Sequence, residues 1–439
     1  MKGIKSVVSG DSGLIEICER TTCRVCGSSQ LEQILDLGSQ YLASRFPSPD
    51  LFGQEPGPFP LTLVRCSDPE KCGLVQLKHT VNPLLMYSQY GYLSGINESM
   101  RGHLESVVRV AESWVPLNES STVVDIGCND GTLLGHYQLA DSMTRIGFEP
   151  AANAAEIARS CGIRVEESFF GSGESVALLS GRQADVVTSI AMFYDLEDPQ
   201  TFVDSVAAIL APTGVWIIEM SYLPSMLQTK SLDTICHEHL EYYALKQIEW
   251  MVSRSGMVIL DAGLNSVNGG SLQLVVGHQE HWSRQALDAS SVNRLLAQEE
   301  TLGLNSTVPY ERFARECELV RTAIKDHISR IKTNGAVVAG YGASTKGNTL
   351  LQYCDLSTKD IAYLADRNPW KEGRVTPGTR IPIVSENEFR KQAPEIALVL
   401  PWHFIDGFVA RERKFLERGG AFLVPLPEVR LIQGTDIDS

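Results

Sequence analysis

VVDIGCNDGT, residues 123–132, reads as a buried strand that runs into a glycine turn and out into a helix. Val123 and Val124 are β-branched and suit a buried, pleated surface, and Asp125 and Ile126 finish the strand. Gly127-Cys128-Asn129-Asp130-Gly131 breaks the chain, and Thr132, Leu133 and Leu134 turn the pattern helical. Strand, glycine turn and helix N-terminus make the first βα turn of a doubly wound sheet, where ligands bind. A Cβ in that turn would hold the backbone away from the ligand, which is why glycine is needed. Gly127-x-x-x-Gly131 is not the GxGxxG of dinucleotide folds, and Asp130 would repel a pyrophosphate. An open backbone with an acidic rim suits a sulfonium cofactor that carries an amino acid.

Gly147-Phe148-Glu149-Pro150 follows twenty residues past Gly127 and reads as the end of the second strand. A carboxylate there is placed to accept both hydroxyls of an adenosine ribose. The plain alternative is an ordinary βα turn with a solvated Glu149. S-adenosylmethionine is therefore the expected cofactor, with Asp125, Gly127, Asn129, Gly131, Glu149 and Pro150 around it. Strands and helices alternate from Val123 to about Val276: ADVVTS (184–189), a helix over 202–210, GVWIIE (214–219) and LQLVV (272–276). This is the order of a class I methyltransferase sheet.

A chain of 439 residues with 43% hydrophobic content implies two or three domains with ample cores. Thirty-eight basic against 53 acidic residues give −15, which disfavours nucleic acid and anionic membranes as partners. No apolar run is long enough to span a membrane and the start lacks an apolar signal core, so a soluble, cytoplasmic protein is expected. Ten cysteines in such a chain point to metal or buried thiols. Cys23-x-x-Cys26-Gly27 is a knuckle whose two thiolates reach one tetrahedral ion. Cys66 and Cys72-Gly73 are its partner pair, which predicts a closed, structural zinc site. Cys18 is the competing ligand, and buried unligated thiols the plain alternative. Pro47, Pro49, Pro56, Pro58 and Pro60 mark an irregular loop between the knuckles. Tyr87, Tyr90 and Tyr92 precede a helix starting near Asn97, with Leu104, Val107, Val108 and Ala111 on one face. The tyrosines are core packing or, alternatively, deliver a phenol to the active site.

DTICHEHLEYY (233–243) is inserted between the last strands. On a helix, His237 and His239 would face about 200° apart and could not chelate one ion. The cluster is a polar capping arrangement or a general base, since histidine titrates near neutrality. A long helical stretch over roughly 290–331 then leads to a second α/β unit, with strands at 336–340, 361–364 and 396–400. Gly340-x-Gly342 with Ser344 and Lys346 at a helix N-terminus reads as an anion site, or else a structural turn.

CRVCG with CGLVQL, YGYLSG, VVDIGCNDGT, GFEP, HEHLEYY, NGGS and GYGASTKGNT together resemble, over nearly the whole chain, the sugar C-methyltransferases of nucleotide-linked 4-keto-deoxysugars. The resemblance implies an α/β protein with three domains: a zinc-binding domain (1–85), an S-adenosylmethionine domain of class I Rossmann-like type (86–285), and a C-terminal Rossmann-like domain (286–439) that helps hold the nucleotide sugar. It implies His239 as the base, Glu238 as its neighbour holding it, His237 behind them, and Tyr92 as a phenol entering the site. Where antibiotic-type members carry tyrosine and histidine, this chain has Cys236 and Asp195, and Ser168 stands where an acid near the adenine is common. Cys236, Asp195, Tyr222, Ser344, Lys346, Asp366, Arg374 and His403 make up the expected substrate contacts. The implied reaction removes the proton beside the ketone, at C3, and methylates that carbon. An O- or N-methyltransferase and a nicotinamide oxidoreductase built on the GYGAS turn are the rival classes. The sugar, its nucleotide and the oligomeric state are not legible.

Overall fold

Thr122–Ile126 is buried along its whole length and lies inside a seven-stranded sheet. Its order is Met257–Asn265, Ser271–His278, Leu210–Ser221, Ala184–Ile190, Thr122–Ile126, Thr144–Phe148 and Arg164–Glu166. Ser271–His278 runs antiparallel to both neighbours, and the remaining pairings are parallel. Parallel strands covered by helices on both faces carry unbroken apolar runs, as Val215–Ile218 does with no exposed surface. The indole of Trp216 in that run is satisfied by Ser189 Oγ at 3.1 Å. The computed structural model describes residues 4–9, 15–51, 54–87, 91–137, 142–171, 179, 181–282 and 290–436. Among these, no helix is long and apolar enough to cross a membrane.

Helix Glu98–Trp114 buries Leu104, Val107, Val108 and Ala111, the face the periodicity marked. The helix after the glycine turn is a single turn, Thr132–Gly135. The stretch expected as one helical run over 290–331 is two helices, Ser290–Leu302 and Val308–Thr333. Gly303 at φ 67° ends the first, and Pro309 pre-sets the first turn of the second.

The N-terminal segment pairs Leu31–Gln40 with Phe59–Cys66, and the latter with Val75–Leu77, so the proline-rich loop lies between two strands, except that Pro60, expected in it, pairs with Ser39 inside the second. The fourth strand of that sheet comes from far along the chain. Glu241 pairs with Gln76 and Tyr242 with Val75, while Tyr243 bridges to Tyr222 at the end of the central sheet. The HEHLEYY segment is thus stitched to two sheets at once. The C-terminal sheet runs Ile383–Ser385, Leu364–Asp366, Val338–Tyr341, Ile396–Val399, Ala421–Val424 and Arg430–Ile432, and only the last pairing is antiparallel among the described residues. Leu35, Leu61 and Phe46 share one apolar core with Tyr341, Leu350 and Leu398 of that unit. Cys23, Cys66, Cys72 and Leu74 share another with Tyr243, Ile248 and Trp216 of the central one.

Gly131 adopts φ 78°, and a Cβ on it would run into Ile163 and Ala158. Gly131→Ala should lower the unfolding free energy by at least about 1 kcal/mol, read by denaturant titration. An unchanged midpoint would mean that this turn is not fixed by packing.

Candidate active site

The cofactor turn is held from both sides. Gly127 and Asn129 take left-handed φ of 76° and 50°, and the amides of Gly127 and Cys128 donate to Phe148 O. Glu149 is 7% exposed; its Oε2 accepts from Asn129 N at 2.9 Å and its Oε1 from Ala151 N at 2.8 Å. Each oxygen keeps a second lone pair, and burial raises its pKa. Asp125 faces inward: Thr188 Oγ1 donates to it at 2.5 Å, and burial pushes it up to about 7. The loop Tyr92–Ile96 closes over the turn. Ser94 N donates to Asn129 Oδ1 at 2.9 Å, Gly95 N to Asp130 Oδ2 at 2.7 Å, and Asn129 Nδ2 to Tyr92 O at 3.1 Å. Asp130, expected as a bare acidic rim, is therefore the anchor of this loop. A glycine turn with left-handed backbone beside a buried carboxylate fits S-adenosylmethionine. Pro150 follows Glu149 at the rim, partly exposed.

Cys23, Cys26, Cys66 and Cys72 bring their sulfurs within 4.8 Å of one another, with Gly27 and Gly73 at φ 72° and 70° closing the two turns. Hydrogen bonding from the Cys23 thiol holds Cys26 and Cys66 below the usual thiol range. Four sulfurs around one point fit a tetrahedral zinc ion with every position filled by protein. Cys18 lies outside the cluster, on the strand Ile15–Arg20.

The HEH segment is a turn rather than a helix, and its histidines part company. His237 is 2% exposed, bonds Phe59 O through Nε2 at 3.2 Å, and is held by burial at about 4. His239 packs its ring 4.4 Å from Tyr194, and its Nδ1 bonds Thr234 O at 2.8 Å. A carbonyl only accepts, so Nδ1 carries the proton and Nε2 is the basic nitrogen. Burial, reinforced by the Lys346 ammonium, lowers His239 to about 3. A histidine held below its ordinary 6.5 stabilises the fold above that pH and loses this contribution as pH falls toward 3. Glu238, expected to hold His239, instead accepts the Ser44 hydroxyl from the zinc-binding unit. Its Oε2 has no donor among the described residues. Cys236 is wholly buried with its thiol pushed up by burial, and the neighbouring Glu238 carboxylate and, less, Asp195 add to that effect.

The remaining expected contacts divide. Tyr222 donates to Glu299 at 2.7 Å, and Glu299 also takes the amides of Leu245 and Lys246, so this phenol serves the start of helix Leu245–Arg254. Arg374 spends Nε on Trp370 O and Nη1 on Phe46 O, and stacks 4.0 Å over the Trp370 ring. Both polar ends are thus spent on partners within the protein. Ser344 caps its helix by accepting from Gly347 N at 3.0 Å, and Asp366 takes Ala343 N at 2.7 Å. These bonds fill the turn that was read as an anion cradle. Lys346 reaches Asn268 O at 2.6 Å, in the NGGS turn. His403, Asp366, Tyr341 and Arg411 line a crevice of about 390 Å³ at the carboxyl ends of the C-terminal strands. Tyr92 is 45% exposed, but its hydroxyl end is desolvated beside Ser94 and Asp130 and is raised to about 12. Tyr90 lies outside the described residues. Thr234, Tyr194, Ser44 and Asp233 escaped the sequence reading; the adjacency of Asp233 and Thr234 to HEH was the only signal for them.

Three family domains match the chain: a zinc binding domain over residues 23–87, a methyltransferase domain over 98–262, and a C-methyltransferase C-terminal domain over 266–427. C-methyltransferase NovU of Streptomyces niveus is 32% identical over 419 residues, covering 93% of this chain and 96% of that one. Among solved structures, magnesium protoporphyrin IX methyltransferase of Synechocystis PCC 6803 overlaps 40% of this chain and 79% of its own (15% identity, TM-score 0.30). N-methyltransferase NodS of Bradyrhizobium japonicum overlaps 41% and 96% (14% identity, TM-score 0.31). With the relative spanning both chains almost end to end, and with glycine cradle and four-sulfur cluster in place, the chain belongs to the S-adenosylmethionine-dependent, zinc-binding C-methyltransferases.

Proposed function

We propose that the substrate is a nucleotide-linked 4-keto-deoxysugar, methylated at C3, the carbon beside its ketone. The observation that carries this reading is His239. Its Nδ1 is fixed by a carbonyl, its Nε2 is left basic, and it lies among groups from all three units of the chain. A neutral histidine with one nitrogen anchored and the other free can take a proton from a carbon acid, such as the carbon beside a ketone. Gly127, Asn129 and Glu149 would hold S-adenosylmethionine, which supplies an electrophilic methyl group when bound. His239 Nε2 takes the C3 proton, and Tyr92, kept protonated at neutral pH, is a donor to the sugar. Glu238 Oε2 accepts a sugar hydroxyl, with Cys236 and Asp195 shaping the wall beside it. The crevice beside His403 and Asp366 takes the nucleotide, in keeping with the position of ligands at the ends of parallel strands. The zinc acts at a distance, by holding the strand partner of Glu241 and Tyr242.

Product from a nucleotide 4-keto-deoxysugar should carry a new carbon-bound methyl by NMR; a methyl on oxygen or nitrogen would reject the assignment. His239→Asn should lose about 10²–10⁴-fold in turnover while cofactor affinity persists. Because the base stays unprotonated above about pH 3, turnover of folded enzyme should not drop as pH falls through 6.5. A titration near 6.5 that vanishes in His239→Asn would contradict this. Glu149→Ala should weaken S-adenosylmethionine binding by about 1.5–3 kcal/mol in calorimetry, the cost of losing charge-assisted bonds to ribose. Equal affinity in a folded variant removes Glu149 from the site. Cys66→Ser should lose the zinc and most turnover, yet keep cofactor affinity in whatever fraction stays folded. Full turnover without metal would separate the zinc from the positioning of His239.

A further inference from the structure

Helix Thr345–Tyr353 packs against the turn Leu232–Thr234, the same turn whose Thr234 carbonyl orients His239. The helix carries Lys346 into the site, where Nζ donates to Asn268 O at 2.6 Å. Asn268 itself is held at φ 55°, and the next residue, Gly269, lies against Trp402. The Trp402 indole donates to Asp233 Oδ2 at 3.0 Å, and Asp233, 1% exposed, has no donor to Oδ1 among the described residues. Three turns and one helix therefore converge on a cation beside the base. Lysine is a compact charge with three donors, so one bond to Asn268 leaves two directions unspent. Of the other groups nearby, Asp195 and Glu238 are carboxylates, acceptors rather than donors, Cys236 is a buried thiol, and the phenols of Tyr92 and Tyr242 are donors that bring no positive charge.

Resting on the keto-sugar reading above, we propose that Lys346 is the electrophile of the reaction, its ammonium receiving the ketone oxygen as His239 takes the adjacent proton. The C–H bond breaks, the proton goes to Nε2, and the electron pair settles on the oxygen facing the ammonium. Burial lowers the Lys346 pKa, and the field of Asp233 opposes that shift. The same positive charge makes His239 a weaker base, a cost that is offset as negative charge develops on the oxygen facing the ammonium.

The test is solvent exchange without a methyl donor. A thymidine diphosphate 4-keto-6-deoxyhexose is incubated with the enzyme in deuterated water, and loss of the proton beside the ketone is followed by NMR. Lys346→Met should exchange about 10²–10³-fold more slowly than wild type, with a larger loss in rate than in apparent affinity, and Lys346→Arg should recover part of it. S-adenosylhomocysteine binding checks folding, and Lys346→Gln replaces Lys346→Met where the latter fails it. Exchange at the wild-type rate in a folded variant would overturn the proposal. So would a borohydride-trapped adduct at Lys346, which would make the residue an imine former. No exchange by the wild type would instead reject the ketone substrate itself, and the role of Lys346 with it.

Discussion

The pairing of Glu241 and Tyr242 with the strand Val75–Leu77 is the constraint on which the site depends. That strand leaves directly from Cys72-Gly73, so the zinc cluster fixes its start. Arg24, inside the first knuckle, donates to Leu77 O at 2.5 Å and lies 3.5 Å from Glu241, both side chains being fully buried. Arg24 also lies 3.5 Å from Glu197, so two carboxylates share this buried guanidinium, and losing Arg24 would leave Glu241 buried without its partner. Leu77 N also donates to Leu240 O, one residue after His239. His239 is therefore positioned by a run of backbone and side-chain bonds from the four-cysteine cluster.

Electrostatics at the site follow from this enclosure. His237, His239 and His403 are all pushed well below the ordinary range by desolvation, but their surroundings give them different work. His237 is bonded to a backbone carbonyl against Phe59 and stays structural. His239 uses one nitrogen for its anchor and presents the other. The low dielectric around it also strengthens the field of Lys346, carried there by the helix Thr345–Tyr353 of the C-terminal unit. Ser44 on Glu238 and Lys346 on Asn268 show the N-terminal and C-terminal units each reaching into the same space.

Much of the architecture was legible in the sequence because it rests on local rules. Val123–Ile126 before two glycines, the acid at Glu149, and two glycine-ended cysteine pairs each report a short-range geometric need. The face of helix Glu98–Trp114 followed from periodicity alone. The break at Gly303–Pro309 was written in the chain but hidden by the helical pattern on either side of it.

What tertiary structure decided was the partner of each polar side chain. Tyr222 and Arg374 looked available, and packing gave them Glu299 and two backbone carbonyls. Ser344 and Asp366 satisfied their own turn, leaving Lys346 to cross to a loop 78 positions earlier in the chain. Thr234 became the orienter of His239 in place of Glu238, because a turn of this kind brings a carbonyl back toward its own end. Motifs and spacings fix which residues are near in sequence. Which buried donor meets which acceptor depends on how the sheets close upon one another, and no spacing encodes that.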